Sequence, residues 1–309
     1  MINEKIKEIR EIVSDSEVVI GFSGGEDSSL VAALSKIALG KEKVVLATID
    51  WGIFSYEKSR KIVRDFSKLL GLKHVFLDGN CKQKNVWKHG PSCNSCTKFV
   101  KLKILREFSN SRLIMTGANS YDSWGKTGLK VFGGVYAPLQ DLSKEEIRAM
   151  IDHLGLKIEK IGESGKREGC KLKHLLKPLI NCEYHGNAAA KSNEILLENL
   201  NGRFKEAFVK IIGPLSKNIA VIYTEPPLDE NILEKVKKEI SNLNEIDDVI
   251  AFQKGMKIKV VASKPIYRNF DARKNIEFYI GLPGEYEWIE SKNTKLRTFQ
   301  VVEIPPFVG

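Results

Sequence analysis

Short apolar runs alternate with helical periods along the first half of the chain. Residues 17–22 read as a buried strand, and apolar positions recur at helical spacing from about residue 28 to 39. Residues 44–49 predict a second strand and 56–70 a second helix. Residues 74–77 and 112–116 predict two more strands, with a helix over 97–108 between them. A helix over 143–154 opens on Ser143-x-x-Glu146, the spacing of a capping box. Strands alternating with helices predict a parallel sheet covered on both faces, an α/β fold. Ligands of such sheets bind beyond the carboxyl ends of the strands. Residues 21–28, 50–52 and 117–122 all fall at those ends, so one site can gather all three.

The pattern changes near residues 201–214. After it, 218–224 predict a strand and 229–243 a helix, with Ile232, Leu233, Val236, Ile240 and Leu243 on one face. Residues 248–252 and 257–262 predict a hairpin turning at Lys254-Gly255. Further strands are expected at 276–280 and 299–303. The expected organisation is a nucleotide-binding catalytic domain over 1–209 and a small α+β domain over 210–309. The second would orient an acceptor or contact another copy of the chain.

Composition narrows the class. With 42% hydrophobic and 28% charged residues among 309, the chain is globular rather than disordered. No apolar run reaches the roughly 20 residues of a membrane span. Met1-Ile2-Asn3-Glu4-Lys5 does not begin a secretory signal, which predicts a cytoplasmic protein. The net charge is +10, and residues 210–309 hold 15 basic against 14 acidic side chains. The excess therefore lies in the first 209 residues, where it suits a phosphate-rich substrate such as ATP or RNA, or serves solubility alone. Five cysteines, an odd number without an export signal, argue against a disulfide framework.

Gly21-Phe22-Ser23-Gly24-Gly25-Glu26-Asp27-Ser28 follows a predicted strand and opens a predicted helix. Paired glycines let the backbone turn tightly and offer its N–H groups to an anion at the helix N-terminus. Ser23 and Ser28 can donate to phosphate oxygens, and Asp27 can hold Mg²⁺. The spacing fits neither the kinase-type phosphate loop nor the dinucleotide fingerprint. The plain alternative is a Gly-rich turn capped by Ser or Asp. Ser-Gly-Gly-x-Asp-Ser closely resembles the signature of the PP-loop ATP pyrophosphatases. That resemblance implies an adenine-nucleotide hydrolase-like fold, with ATP held by Gly21, Ser23, Gly24, Gly25, Asp27 and Ser28. It also implies transfer of AMP to a substrate oxygen, release of pyrophosphate, and displacement of AMP by a nucleophile. Asp50, Gly117 and Asp122 are expected to complete the nucleotide site, although Asp50 could instead cap its own turn.

Cys93 and Cys96 stand in a C-x-x-C spacing, half of a tetrahedral metal site. A third thiolate would make a three-cysteine [4Fe-4S] centre; a sulfur relay through a cysteine persulfide, structural Zn²⁺ or no metal role at all remain open. The order Cys93–Lys98, then Gly117-Ala118-Asn119-Ser120-Tyr121-Asp122, then Ser143-Lys144-Glu145-Glu146, resembles the sulfur-inserting branch of the same superfamily. It is similar to the nickel-pincer cofactor sulfurtransferases of lactate racemase maturation, over roughly residues 1–200. The resemblance implies a functional cysteine at Cys170; the Lys171-Leu172-Lys173-His174 that follows departs from that family. The tRNA 2-thiolation enzymes place their third cysteine at a separation that makes Cys182 the reserve. Lys166, Arg167, Lys171, Lys173 and Lys177 surround Cys170 and either lower its pKa or form a solvated face.

These readings predict an ATP- and Mg²⁺-dependent sulfurtransferase in which Asp27, Cys93, Cys96 and Cys170 carry the chemistry. Its partners would be a phosphorylated small molecule or tRNA as acceptor and sulfide or a carrier protein as sulfur donor. The competing expectation is an ATP-dependent amide or amidine synthetase using ammonia, as in the NAD and GMP synthetase branches, with structural cysteines.

Overall fold

The computed structural model describes residues 1–121, 128–159, 169–200 and 204–305. Two compact units divide the chain: Met1–Gly79 with Lys98–Ile161, and Asn80–Thr97 with Gly162–Gly309.

The first unit is a mixed α/β layer structure around a six-stranded sheet. Its strands are β1 (Val18–Gly21), β2 (Val44–Asp50), β3 (Lys73–Asp78), β4 (Leu113–Met115), β5 (Val131–Phe132) and β6 (Val135–Tyr136), in the order β3-β2-β1-β4-β6-β5. Neighbours run parallel except β5, which pairs antiparallel with β6 at the edge. Val18, Val19 and Ile20 are all fully buried, as expected of a parallel strand with both faces covered. Alternation divides their side chains between two cores. Val18, Ile20, Phe22, Val44 and Leu46 face α1 (Ile2–Val13), α2 (Glu26–Leu39), α3 (Glu57–Leu70) and α7 (Lys144–His153). Val19, Ala47, Ile114 and Val135 face Leu105 on α6 (Leu102–Ser109). The remaining short helices, α4 (Lys84–Trp87) and α5 (Cys93–Cys96), belong to the second unit.

Each predicted element up to residue 154 has a counterpart within a few residues. The capping box forms as expected: Glu146 N–H donates to Ser143 Oγ at 3.2 Å, and Ser143 N–H to Glu146 Oε2 at 2.8 Å.

The second unit contains two three-stranded sheets, β7-β8-β9 and β11-β10-β12. The strands are β7 (Glu206–Ile212), β8 (Ile219–Glu225), β9 (Asp248–Ala251), β10 (Lys257–Ala262), β11 (Glu285–Glu290) and β12 (Phe299–Glu303). Its helices are α8 (Asn187–Glu198), α9 (Glu230–Ser241), α10 (Lys264–Tyr267) and α11 (Phe270–Ile280). The expected break between residues 209 and 210 falls inside β7.

Two expectations fail here. Residues 248–252 and 257–262 do form strands, but not a hairpin: β9 lies parallel to β8, and β10 pairs with β11 and β12. The parallel pairings β8–β9 and β10–β11 are each bridged by helix, so the polar turn at Lys254-Gly255 links two sheets instead of closing one. Residues 276–280 are helical, not extended. Ile276 packs on the core and Ile280 is fully buried one turn on, while Asn269 caps α11 by accepting from the Ala272 N–H at 2.9 Å. No helix among the described residues is long and apolar enough to cross a membrane.

Candidate active site

The turn from β1 into α2 brings paired glycines to a helix N-terminus. Gly24 sits at φ +68°, a conformation that excludes most side chains, and Gly25 caps α2 without a side chain over its first amides. Three contacts among Ser23, Gly25 and Ser28 are long. Ser23 N–H reaches Ser28 Oγ at 3.3 Å, Gly25 N–H reaches Ser23 Oγ at 3.4 Å, and the Ser28 hydroxyl reaches Gly25 O at 3.2 Å. These are long for bonds of their type, so an anion offering shorter ones would displace them. Glu26 turns away from the loop toward Arg148, 3.5 Å away.

Asp27, in the first turn of α2, is held by groups from far along the chain. Lys144 Nζ lies 2.6 Å from both carboxylate oxygens, and the amide of buried Asn119 donates to Oδ2 at 3.2 Å. Lys144 is the first residue of α7, so the capping box at Ser143 sets where its side chain starts. Gly117 lets β4's exit pass against α2. A Cβ there would stand 2.8 Å from both Asp27 Cβ and Ser28 N. The phosphate loop and Gly117 thus meet at one sheet end, while Asp122 lies outside the described residues. Lys144 and Asn119 lay within quoted motifs without being singled out as site residues. What would have pointed to them is an ammonium and an amide placed at the carboxyl edge of the sheet.

Asp50, at the end of β2, is tied into its own turn. Arg60 reaches its carboxylate at 2.8, 3.2 and 3.3 Å, and Gly52 N–H donates at 3.1 Å. Burial alone would raise this carboxyl; the bonds from Arg60, Ser55 and Gly52 outweigh it and hold the group below the usual range. Mg²⁺ fits the loop differently, since it takes one or two carboxylates plus phosphate oxygens, and Asp27 supplies such a group.

The cysteines belong to the second unit. Cys182 forms a disulfide with Cys81 across 101 residues, so the reserve thiolate is not a thiolate, and the expectation of no disulfide is corrected. Residues 81 and 182 are paired by the tertiary fold, which residue counting does not reveal. Cys93, Cys96 and Cys170 stand outside the disulfide. Cys93 is exposed, with Sγ 3.5 Å from Tyr279 Oη, whereas Cys96 is buried. Among the described residues no group of three or more His, Cys, Asp or Glu side chains is placed to hold a metal ion. The described thiols therefore do not assemble the expected [4Fe-4S] or Zn²⁺ centre.

The basic stretch around Cys170 is buried only in part, with Lys173 half-buried. Lys166 and Arg167 lie outside the described residues. Lys171 and Lys177 are buried: Lys171 pairs with Glu194, and Lys177 donates to the carbonyls of Pro214 and Lys217 and to Asn218 Oδ1. Burial pushes the Lys177 ammonium down to about 8.

Comparison with known proteins agrees with the loop. The NAD synthase family model matches residues 1–86. A glutamine-hydrolysing GMP synthase of Stenotrophomonas maltophilia (strain K279a) is 39% identical over 75 residues, covering 24% of this chain and 14% of its own. One subunit of the glutamine-hydrolysing GMP synthase of Methanocaldococcus jannaschii is 27% identical over 173 residues, 50% of this chain and 55% of that one. These findings support the PP-loop ATP pyrophosphatase superfamily. A third such GMP synthase, from Thermosipho melanesiensis, is 27% identical over 185 residues, 50% of this chain and 36% of its own. The chain thus spans between 14% and 55% of the length of these curated relatives. They agree with the expected superfamily over the first part of the chain. They do not reach the sulfur-inserting branch.

Proposed function

We propose that this PP-loop chain is an ATP-dependent synthetase. It transfers AMP to an acceptor carbonyl oxygen, releases pyrophosphate, and lets ammonia displace AMP to form an amide or amidine. The observation that carries the reading is the weakly engaged phosphate loop beside Asp27, whose carboxylate is covered by Lys144. The relatives' names support nitrogen as the incoming atom, since they describe glutamine-hydrolysing GMP synthases.

The loop amides and the Ser23 and Ser28 hydroxyls bind the β- and γ-phosphates. Asp27 would hold Mg²⁺, which would supply positive charge against the phosphates, and Lys144, released from the carboxylate, would turn its ammonium to the departing pyrophosphate. The acceptor oxygen attacks the α-phosphorus as the bond to pyrophosphate breaks. Ammonia then adds to the activated carbon, loses a proton, and AMP leaves with the oxygen. Residues 210–309, with near-balanced charge, orient a phosphorylated acceptor rather than perform this chemistry. On this reading Cys93, Cys96 and Cys170 are not needed for turnover.

The test measures acceptor-dependent pyrophosphate release from ATP with ammonium or sulfide as nucleophile. Each is compared in the wild type and in a Cys93→Ala, Cys96→Ala, Cys170→Ala triple variant. Ammonium-dependent turnover that survives in the variant is expected. Turnover with sulfide alone, lost in the variant, would return the chain to the sulfur-transferring branch.

A further inference from the structure

The phosphate loop is held from behind by a relay of two side chains, buried Thr48 and half-buried His74. Phe22 extends β1, its N–H donating to Ala47 O at 2.9 Å. Its carbonyl oxygen accepts from Thr48 Oγ1 at 2.7 Å, and that hydroxyl lies 2.8 Å from His74 Nε2. A hydroxyl has one proton, and Thr48 gives it to Phe22. The His74 contact must then run the other way, with Nε2–H donating, which fixes the tautomer. Burial, then the charge of Arg64, lowers the ring's pKa to about 4, so it is neutral near pH 7. Phe22 itself is sealed in, stacked on Phe66 at 5.8 Å and meeting the edge of His74 at 6.2 Å.

The consequence follows from peptide geometry. In a planar trans peptide the carbonyl of Phe22 and the N–H of Ser23 point in opposite directions. With the carbonyl drawn into the core by Thr48, the Ser23 N–H faces the loop interior, where it meets Ser28 Oγ at 3.3 Å. We infer that His74 and Thr48 are positioning residues for ATP, locking the Phe22–Ser23 peptide so that the Ser23 N–H is presented to the polyphosphate. This rests on the ATP-binding reading of the loop. A donor aimed in advance needs no reorganisation when the anion arrives.

The test compares ATP with AMP, which lacks the phosphates the loop receives, by titration calorimetry on the folded full chain. Thr48→Val removes both relay bonds and should lower the ATP-to-AMP affinity ratio about tenfold, the size of one hydrogen bond to a charged group. AMP affinity should stay within about twofold, and Thr48→Ser should keep the wild-type ratio. A purely structural Thr48 would shift the unfolding temperature and leave the ratio alone. His74→Leu should lower the ratio about threefold, while His74→Gln, which can still donate, should restore it; this pair decides the matter if Thr48→Val does not fold. A folded Thr48→Val protein with the wild-type ratio, alongside an Asp27→Ala protein that has lost ATP, would overturn the relay alone. A wild type that does not prefer ATP to AMP would overturn the functional reading, and the relay with it.

Discussion

Lys144 Nζ sits 2.6 Å from each carboxylate oxygen of Asp27, bridging 117 residues of sequence. Both side chains are partly exposed, at 33% and 26%, so the pair contributes no more than about 1 kcal/mol to stability. On the proposed mechanism its place beside the phosphate loop serves the chemistry. Lys144→Met should therefore change the unfolding free energy by under about 1 kcal/mol. Pyrophosphate release should fall about 100-fold as a preorganised cation is lost. Asp27→Ala should abolish adenylation while leaving the circular dichroism spectrum intact. Full adenylation in either folded variant would remove that residue from the mechanism.

Gly117 offers a steric test of the same corner. An added methyl at 2.8 Å from Asp27 Cβ and Ser28 N must push back the start of α2. Gly117→Ala should cost about 1–3 kcal/mol of stability, and ATP affinity should drop with it because Asp27 and Ser28 move. Gly169, where a Cβ would meet nothing within 4 Å, is the control. Gly169→Ala should leave both quantities near wild type. Equal behaviour of the two variants in calorimetry and ATP titration would show that close packing at Gly117 is unimportant.

The first unit was readable in sequence because its signals are local. Val18–Gly21, the paired glycines and the start of α2 lie within a dozen residues, and Ser143 and Glu146 are three apart. The partner of Asp27 was not readable, since a lysine at a helix start carries no mark of which strand end it will face. The same holds for Thr48 and His74, which look like ordinary strand residues until β2 and β3 pair them. In the second unit, the strands of residues 248–262 were found but assigned to one hairpin. A short polar turn suits a hairpin, and only the parallel partners β8 and β11 show otherwise.

Three of the five histidines contribute to the acid side of the stability curve. Burial lowers the imidazole of His74 to about 4 and that of His185 below its ordinary value. Burial, reinforced by Lys210, Lys173 and Lys171, lowers His174 well below it. Unfolded histidine titrates near 6.5. As pH falls below that value the unfolded chain takes up protons the folded chain refuses, so stability drops. For His74 the loss should run from about pH 6.5 down to 4, approaching an upper limit of about 3 kcal/mol that partial exposure reduces. Urea denaturation from pH 7.5 to 4.5 should show a falling midpoint, with a shallower slope in His74→Gln. A midpoint flat across that range would mean these rings are protonated as readily in the folded chain.

The Cys81–Cys182 bond should matter to the second unit and not to the phosphate loop. It ties the segment Asn80–Thr97, which carries Cys93 and Cys96, to the chain 101 residues further on. Closing a loop of that length restricts the unfolded ensemble by up to about 4–5 kcal/mol in the chain-entropy model. Alkylation of unfolded, unreduced protein should label three thiols, and five after reduction. Cys182→Ser, or a reductant, should lower the unfolding temperature of the chain by several degrees, since the closed loop also contains residues 98–161 of the first unit. ATP affinity should stay unchanged, because Gly21–Ser28, Asn119 and Lys144 all belong to the first unit. Five labelled thiols before reduction would show that the bond does not form. An equal loss of ATP binding on reduction would show instead that the nucleotide site depends on the second unit's covalent staple.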